Sequence, residues 1–338
     1  MTPDSNASNT PILLIAWRRP HTLRQVIDAI RPVAPTRLYV ACDGPNPERP
    51  GEAEKVAATR ALIEHEIDWP CQIERLYSDV NQGCRLGVSR AITWFFEQVE
   101  EGIILEDDCV PHPDFFHYCT TLLERYRHDT RVWSICGSNF QLGNKRGDAS
   151  YYFSIHGDSW GWASWRRAWE HYPKAKLNWF TFRDTGGLDD LFPIPQERTY
   201  WREILDRLFI EGLPSTWDFQ WWLASWMNNG LHAWPNARLV SNIGFDGDGT
   251  HTFGNNDFAS PPLEALGNLR HPDFLLPCRK ADEFAFLYRR GGYGNDCIDE
   301  SEKYGRIYPW ILRVRQLKQE GFVPYFASRL LRVNLPSN

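Results

Sequence analysis

The feature that most constrains the fold of this chain is an alternation of two hydrophobic periods. From Pro11 onward, short runs of branched apolar residues trade places with stretches whose apolar residues recur every three or four positions. The first run, PILLIAW (Pro11–Trp17), is continuously apolar, as in a strand buried on both faces. In the next stretch, RRPHTLRQVIDAI, Leu23, Val26, Ile27 and Ile30 share one helical face, and Pro20 suits a first helical turn. The pattern then repeats. RLYVACDG is a strand, PNPERPG a loop and EAEKVAATRALIEHEI a helix. CQIERLYS is a strand, NQGCRLG a polar glycine-containing loop and VSRAITWFFEQV a helix. GIILEDD, PDFFHYCTTLLERYRHD and VWSICGSN read as strand, helix and strand. Such alternation predicts an α/β fold with a mostly parallel, doubly wound sheet.

In sheets of this kind ligands bind beyond the carboxyl ends of the strands. The charged residues of this sequence collect there: Arg18 and Arg19 after the first strand, Asp43 after the second, and Glu106, Asp107 and Asp108 after the fourth. No G-x-G-x-x-G follows the first strand and no P-loop pattern is present, so dinucleotide and Walker-type sites are not expected. The net charge of −6 argues against a nucleic-acid partner. Three consecutive acids at the end of a buried strand repel one another. A hard divalent cation, Mn²⁺ or Mg²⁺, would relieve that repulsion. A solvated turn leading into a helix cap is the competing reading.

Beyond about Ser150 the periodicity weakens and aromatic residues dominate. The chain has 16 tryptophans, many of them between Trp133 and Trp234. They fill a core or form a sugar-stacking surface. This half is expected to pack on the sheet as the other wall of a cleft, with Asp158 and Trp162 near an acceptor. Arg85, in the glycine-bounded NQGCRLG loop, is a candidate for a diphosphate, against the alternative of a surface arginine. None of the eight cysteines forms a C-x-x-C pair, so structural zinc is not expected. The polar N-terminus lacks the order of a signal peptide, and no apolar run is long enough for a membrane span. These features lead us to expect a cytoplasmic protein with reduced thiols. The tail PWILRVRQLKQEGFVPYFASRLLRV reads as a helix with Arg and Lys among apolar residues. It suits peripheral contact with an anionic membrane or packing against the domain.

The acidic stretch also carries a resemblance. IILEDDCVPHPDFF resembles the metal motif of GT-A glycosyltransferases, especially the inverting N-acetylglucosaminyltransferase I type. AWRRPHTLRQVIDAI is similar to that family's first strand and helix, VACDG to its second strand, GWASWRRAW to its acceptor-side segment and WDFQWW to its catalytic segment. The likeness runs from about Pro11 to Thr252. It implies a GT-A domain over residues 11–260, with a nucleotide-sugar half (11–150) and an acceptor half (151–260), and an extension over 261–338. It implies that Asp108 binds Mn²⁺ and that Glu106 and Asp107 contact the donor sugar or ribose. Asp43 would read the base with Arg19 nearby, and Asp218 would be the general base. A carboxy-terminal histidine reaches the metal in some GT-A enzymes, which makes His251 a candidate ligand, against a solvated loop histidine. Arg90 aligns where the family has a histidine facing the nucleotide, a departure that affects the base contact.

The function implied is inverting, metal-dependent transfer of a sugar from a nucleotide sugar, with UDP-sugars the expected donors. The acceptor would be a glycan, a lipid-linked saccharide or a protein. Two other readings compete. A nucleotidyltransferase shares the sheet and the acidic metal logic, but AWRRPHTLR lacks the glycine-rich loop expected after its first strand. A non-catalytic carbohydrate-binding protein would use the tryptophan-rich half, but would not need Asp43, the three acids and Asp218 together.

Overall fold

The computed structural model describes residues 9–245 and 262–289. His251 and the basic tail lie outside the described residues. The chain divides into two compact units, Met1–Phe284 and Ala285–Asn338. The sheet, the cavities and every described site residue lie in the first.

The predicted alternation is present. β1 (Ile12–Ala16), α1 (Pro20–Ile30), β2 (Arg37–Cys42), α2 (Glu52–Glu66), β3 (Gln72–Tyr77), α3 (Gly83–Gln98) and β4 (Glu101–Glu106) follow in order. Pro20 occupies the first turn of α1, and Leu23, Val26, Ile27 and Ile30 are its buried face. α3 starts earlier than periodicity indicates. The NQGCRLG segment is its opening turn, so Arg85 sits on a helix and not in a flexible loop. After β4 come a short β5 (Cys109–Pro111), α4 (Pro113–Tyr126) and β6 (Val132–Cys136).

The second half differs from expectation. It supplies strands β7 (Tyr151–Ser154), β8 (Trp162–Trp165) and β9 (Leu231–Pro235) to the same sheet, whose order is β3-β2-β1-β4-β8-β6-β9-β7. β8 lies between β4 and β6, antiparallel to both, and β7 lies antiparallel to β9 at the edge. The remaining strands run in one direction, so the fold is α/β with a mostly parallel sheet. Sequence reading missed these strands because they are only four or five residues long and rich in aromatics. Period-2 alternation has little room to register in such segments. Helices α5 (Arg166–Trp169), α6 (Tyr172–Asp184), α7 (Gly187–Leu191) and α8 (Pro195–Asp206) lie between β8 and β9. A π-helical turn (Arg207–Glu211) and α9 (Asp218–Trp226) complete that stretch. β10 (Val240–Asn242) pairs with β5, and α10 (Arg279–Arg289) ends the described chain.

The part of the extension from residue 262 to 284 is tied to the first unit. The Cys278 amide donates to the Phe153 carbonyl, and the Ser154 hydroxyl donates to Asp282.

Register sets the site. Ile15 lies opposite Glu106, and Ala16 opposite Cys42. The residues that follow these strands, Trp17 to Arg19, Asp43 and Asp107 to Asp108, therefore emerge on one edge.

Tryptophans make most of the second core. Every one from Trp133 to Trp234 is buried except Trp160, which is partly buried. Trp162 is fully buried, with ring centroids 5.6 Å from Trp217 and 5.7 Å from Trp221. It is a core residue and not the acceptor platform that the sequence suggests. Trp162→Ala is expected to lower the unfolding free energy by about 3–5 kcal/mol, the usual cost of emptying a large aromatic site. A loss below roughly 1 kcal/mol in a denaturant titration would contradict its core role.

Candidate active site at the carboxyl edge of the sheet

Glu106 ends β4, and Asp107 and Asp108 follow it as a turn that pairing of β5 with β10 holds in place. Asp107 and Asp108 are buried. One side chain answers both. Arg19, at the N-terminal boundary of α1, directs Nη2 to Asp107 in a short contact and to Asp108 Oδ2 at 2.9 Å. The Trp17 amide also donates to Asp107 at 3.2 Å. Burial alone would lower the Arg19 guanidinium, but Asp107 and Asp108 override it and hold the group above its ordinary value. Arg19 is thus committed to the acids.

Gly244 closes this corner. A Cβ there would lie 2.1 Å from Asp108 Oδ2 and 2.7 Å from Arg19 Nη1. The close approach of backbone to an ion pair requires a glycine.

Glu106 has no such compensation. None of the described residues hydrogen-bonds its carboxylate. Burial first, then Asp108 and Asp107, push it well above the usual carboxylate range. Asp107 is also raised by burial, with Arg19 opposing. An uncharged Glu106 carboxyl can donate a hydrogen bond as well as accept one.

Asp43 is held by a ring of amides. Its Oδ1 accepts from the Gly44 amide at 2.8 Å and the Gln82 amide at 2.9 Å. Its Oδ2 accepts from Asn81 Nδ2 at 3.1 Å and the Gly83 amide at 3.2 Å. The carboxylate therefore sits at the N-terminus of α3 and satisfies its free amides, where negative charge is favoured. Burial still raises Asp43, with those amides opposing. It positions the 81–83 segment that forms one wall of the cleft.

Two cavities meet at this edge. The larger, of 260 Å³, is lined by Trp17, Arg19, Asp43, Arg49, Asn81 and Arg90, among others. The smaller, of 150 Å³, is lined by Glu106, Asp108, Trp160, Asp218 and Asn242, among others. Arg19, Cys84 and Glu106 belong to both. Burial, then Glu106, Asp218 and Asp43, raise the Cys84 thiol and keep it neutral.

Asp218 is the first residue of α9. Its Oδ1 accepts from the Thr216 hydroxyl and from the Phe219 amide at 3.0 Å. Stacking of Trp217 on Trp162 anchors the turn that presents it. Asp158 is buried, and its Oδ2 accepts from the Trp160 amide at 3.2 Å. Gly161 has φ +66°, a left-handed turn between Trp160, which lines the cavity, and Trp162, which enters the core. Asp158 and Trp162 therefore support the small cavity from behind, and Trp160 is the aromatic that lines it.

The structure brings Arg19, Asp43, Arg90, Glu106, Asp107, Asp108 and Asp218 to these cavities. Arg85 lines neither. Sequence reasoning missed Trp17, Arg49, Asn81 and Cys84 as lining residues. Trp17 directly follows β1 and was legible by position, whereas Arg49 lies in a proline-rich loop with no pattern to mark it.

A divalent metal was expected on Asp108. Among the described residues no three His, Cys, Asp or Glu side chains converge as ligands. The Arg19 guanidinium stands 2.9 Å from Asp108 Oδ2 and takes up that oxygen. The residues as arranged do not fit Mn²⁺ or Mg²⁺ unless Arg19 moves. No described helix is long and apolar enough to cross a membrane.

No family model and no curated protein matches this sequence. Solved structures do. HddC from Yersinia pseudotuberculosis is similar at a TM-score of 0.31 and 11% identity, over 48% of this chain and 80% of that one. A UDP-glucose pyrophosphorylase complexed with UDP-glucose is similar at a TM-score of 0.29 and 11% identity, over 48% and 78%. The 4-diphosphocytidyl-2C-methyl-D-erythritol synthase of Anaerococcus prevotii is similar at 0.32 and 10%, over 49% and 76%. At these TM-scores the likenesses carry no argument about function.

The carboxyls that burial raises have a consequence for stability. Between the ordinary carboxylate value and the raised one, the folded state binds more protons than the unfolded state, so stability falls as pH rises through that window. The melting temperature of the wild type is expected to fall from about pH 5 upward. Glu106→Gln removes one such group. It should show a flatter profile and gain roughly 1–2 kcal/mol near neutral pH. Identical slopes for the two proteins would show that the Glu106 charge is not suppressed by folding.

Proposed function

We propose that this chain is a GT-A-type inverting glycosyltransferase that moves a sugar from a nucleoside-diphosphate sugar to an acceptor hydroxyl. The observation that carries this reading is the paired cavity. Three carboxyl groups, from Glu106, Asp108 and Asp218, line a pocket large enough for a sugar ring and an attacking hydroxyl. That pocket shares Arg19 and Glu106 with a larger one suited to a nucleotide. The larger pocket would take the nucleoside diphosphate, with Trp17, Asn81 and Arg90 along it.

The chemistry follows from that division. Asp218 accepts the proton of the acceptor hydroxyl, whose oxygen bonds to the anomeric carbon from the face opposite the diphosphate. The bond from that carbon to the diphosphate oxygen breaks, and its electron pair leaves with the nucleoside diphosphate. A single displacement of this kind inverts the anomeric configuration, as in inverting glycoside chemistry. The leaving group gains negative charge beside Arg19, where a preoriented cation is most effective. Glu106, whose carboxyl burial and the neighbouring acids push well above the usual carboxylate range, lines both pockets and faces the donor sugar.

The carbohydrate-binding alternative loses its basis. The tryptophans that it needs on a surface are buried, Trp160 being the partial exception.

The test is turnover of UDP-, GDP- and dTDP-sugars with a panel of saccharide acceptors, UDP-sugars first. Release of nucleoside diphosphate and the anomeric configuration of the product are the readouts. Asp218→Asn should lower kcat by at least about 100-fold, the usual contribution of a general base. Its nucleotide affinity should stay within about threefold of wild type, since the lost interaction belongs to the transition state. Undiminished turnover in Asp218→Asn would remove it as the base, and a product with retained configuration would rule out the single displacement.

A further inference from the structure

We propose that Arg19 is the cation of this site, so that the chain binds the diphosphate of its donor through a guanidinium without a divalent metal. The inference rests on the donor reading above and specifies how the diphosphate is held.

The geometry is specific. Arg19 Nη2 serves Asp107 and Asp108 together. A guanidinium carries five N–H donors, and no described residue accepts from Nη1 or Nε of Arg19. Among the described residues, Arg19 is the one arginine that lines both cavities, at the junction where a diphosphate between nucleoside and sugar would lie. Its planar fork can engage carboxylates on one edge and phosphate oxygens on another, which an ammonium cannot do. Gly244 brings the backbone so close to this pair that a Cβ there would lie 2.1 Å from Asp108 Oδ2 and 2.7 Å from Arg19 Nη1. A divalent ion on Asp108 would meet a fixed positive charge at contact distance. It would also have to separate a buried ion pair whose acids have no other cation among the described residues.

Charge balance agrees. As carboxylates, Asp107 and Asp108 outnumber the single guanidinium that bridges them. The diphosphate brings more negative charge, and Arg49 and Arg90 along the larger cavity share in meeting it. Arg19 keeps its own contacts to both acids while adding those to phosphate, as charge-assisted networks do.

The experiment is calorimetric titration of the full chain with UDP, GDP and dTDP, in EDTA and in Mn²⁺, alongside Mn²⁺ binding followed by loss of its free-ion electron paramagnetic resonance signal. The expected result is that the best nucleotide binds in EDTA within about threefold of its affinity in Mn²⁺. Without nucleotide, the wild type should take up no more Mn²⁺ than Asp108→Asn. Arg19→Gln should weaken nucleotide binding in EDTA by about 30- to 100-fold, and Arg19→Lys by less. The wild-type arms decide the matter even if Arg19→Gln does not fold. Stoichiometric Mn²⁺ uptake abolished in Asp108→Asn, or nucleotide binding confined to Mn²⁺, would overturn this inference and leave the donor reading intact. No binding of any nucleotide in either medium would overturn the donor reading and this inference with it.

Discussion

The contact on which the rest depends is the bridge from Arg19 to Asp107 and Asp108. Two buried carboxylates without a partner would be very costly, because desolvation penalises charge far more than distant attractions repay it. One guanidinium, brought by the chain that leaves β1, meets both. That requirement fixes several things at once. β1 and β4 must be neighbours in register, so that residues 17 to 19 and 106 to 108 leave the sheet side by side. The turn after β4 must be held, which the pairing of β5 with β10 achieves. The strand leading out of β10 must then pass so close to the ion pair that only glycine fits at 244. Residues more than two hundred positions apart are thereby bound to one electrostatic unit.

The aromatic half answers a different constraint. The half of the sheet built from β8, β6, β9 and β7, each only four or five residues long, has few backbone hydrogen bonds to define it. Large rings supply area instead. Trp133, Trp162, Trp169, Trp217 and Trp221 form a contiguous cluster, with Trp169 and Tyr172 stacked at 4.4 Å. The cluster supports the site as well as the fold. Trp217 is the residue before Asp218, and its stacking on Trp162 fixes where α9 begins. The Gly161 turn separates a tryptophan that serves the core from one that serves the cavity. Packing and chemistry here are consecutive residues of the same segments.

Because the two cavities share Arg19, Cys84 and Glu106, they are not electrostatically independent. Any anion entering the larger one changes the field at Glu106 and, through Arg19, at Asp108. Asp43 stands apart from this exchange. Its oxygens are occupied by backbone amides of the α3 terminus, and its charge is spent on holding that helix in position. The same residue type thus plays two roles on neighbouring strands: after β2 it builds the wall, and after β4 it faces the cleft.

How much of this was legible in the sequence depended on how far apart the interacting residues lie in the chain. The βα alternation of the first half is a local signal, written in periods of two and 3.6, and the strands from β1 to β4 followed from it. The gathering of acids at one edge followed from topology alone, since strand ends of a parallel sheet share an edge. The partner of those acids did not. An arginine after β1 suits a nucleotide base, a phosphate or a carboxylate equally well, and only the three-dimensional register selects among them. The choice between core and surface for the tryptophans stayed open for a related reason. Composition gives their number, but burial depends on whether β8 is inserted between β4 and β6, an antiparallel pairing across some sixty residues that no local period encodes. The segment that carries Arg85 departs in the opposite direction. It is glycine-bounded and reads as a loop, yet Asp43 caps it from another strand and turns it into helix. In each instance the missing information was a long-range charge or ring contact that overrides what the local residues prefer.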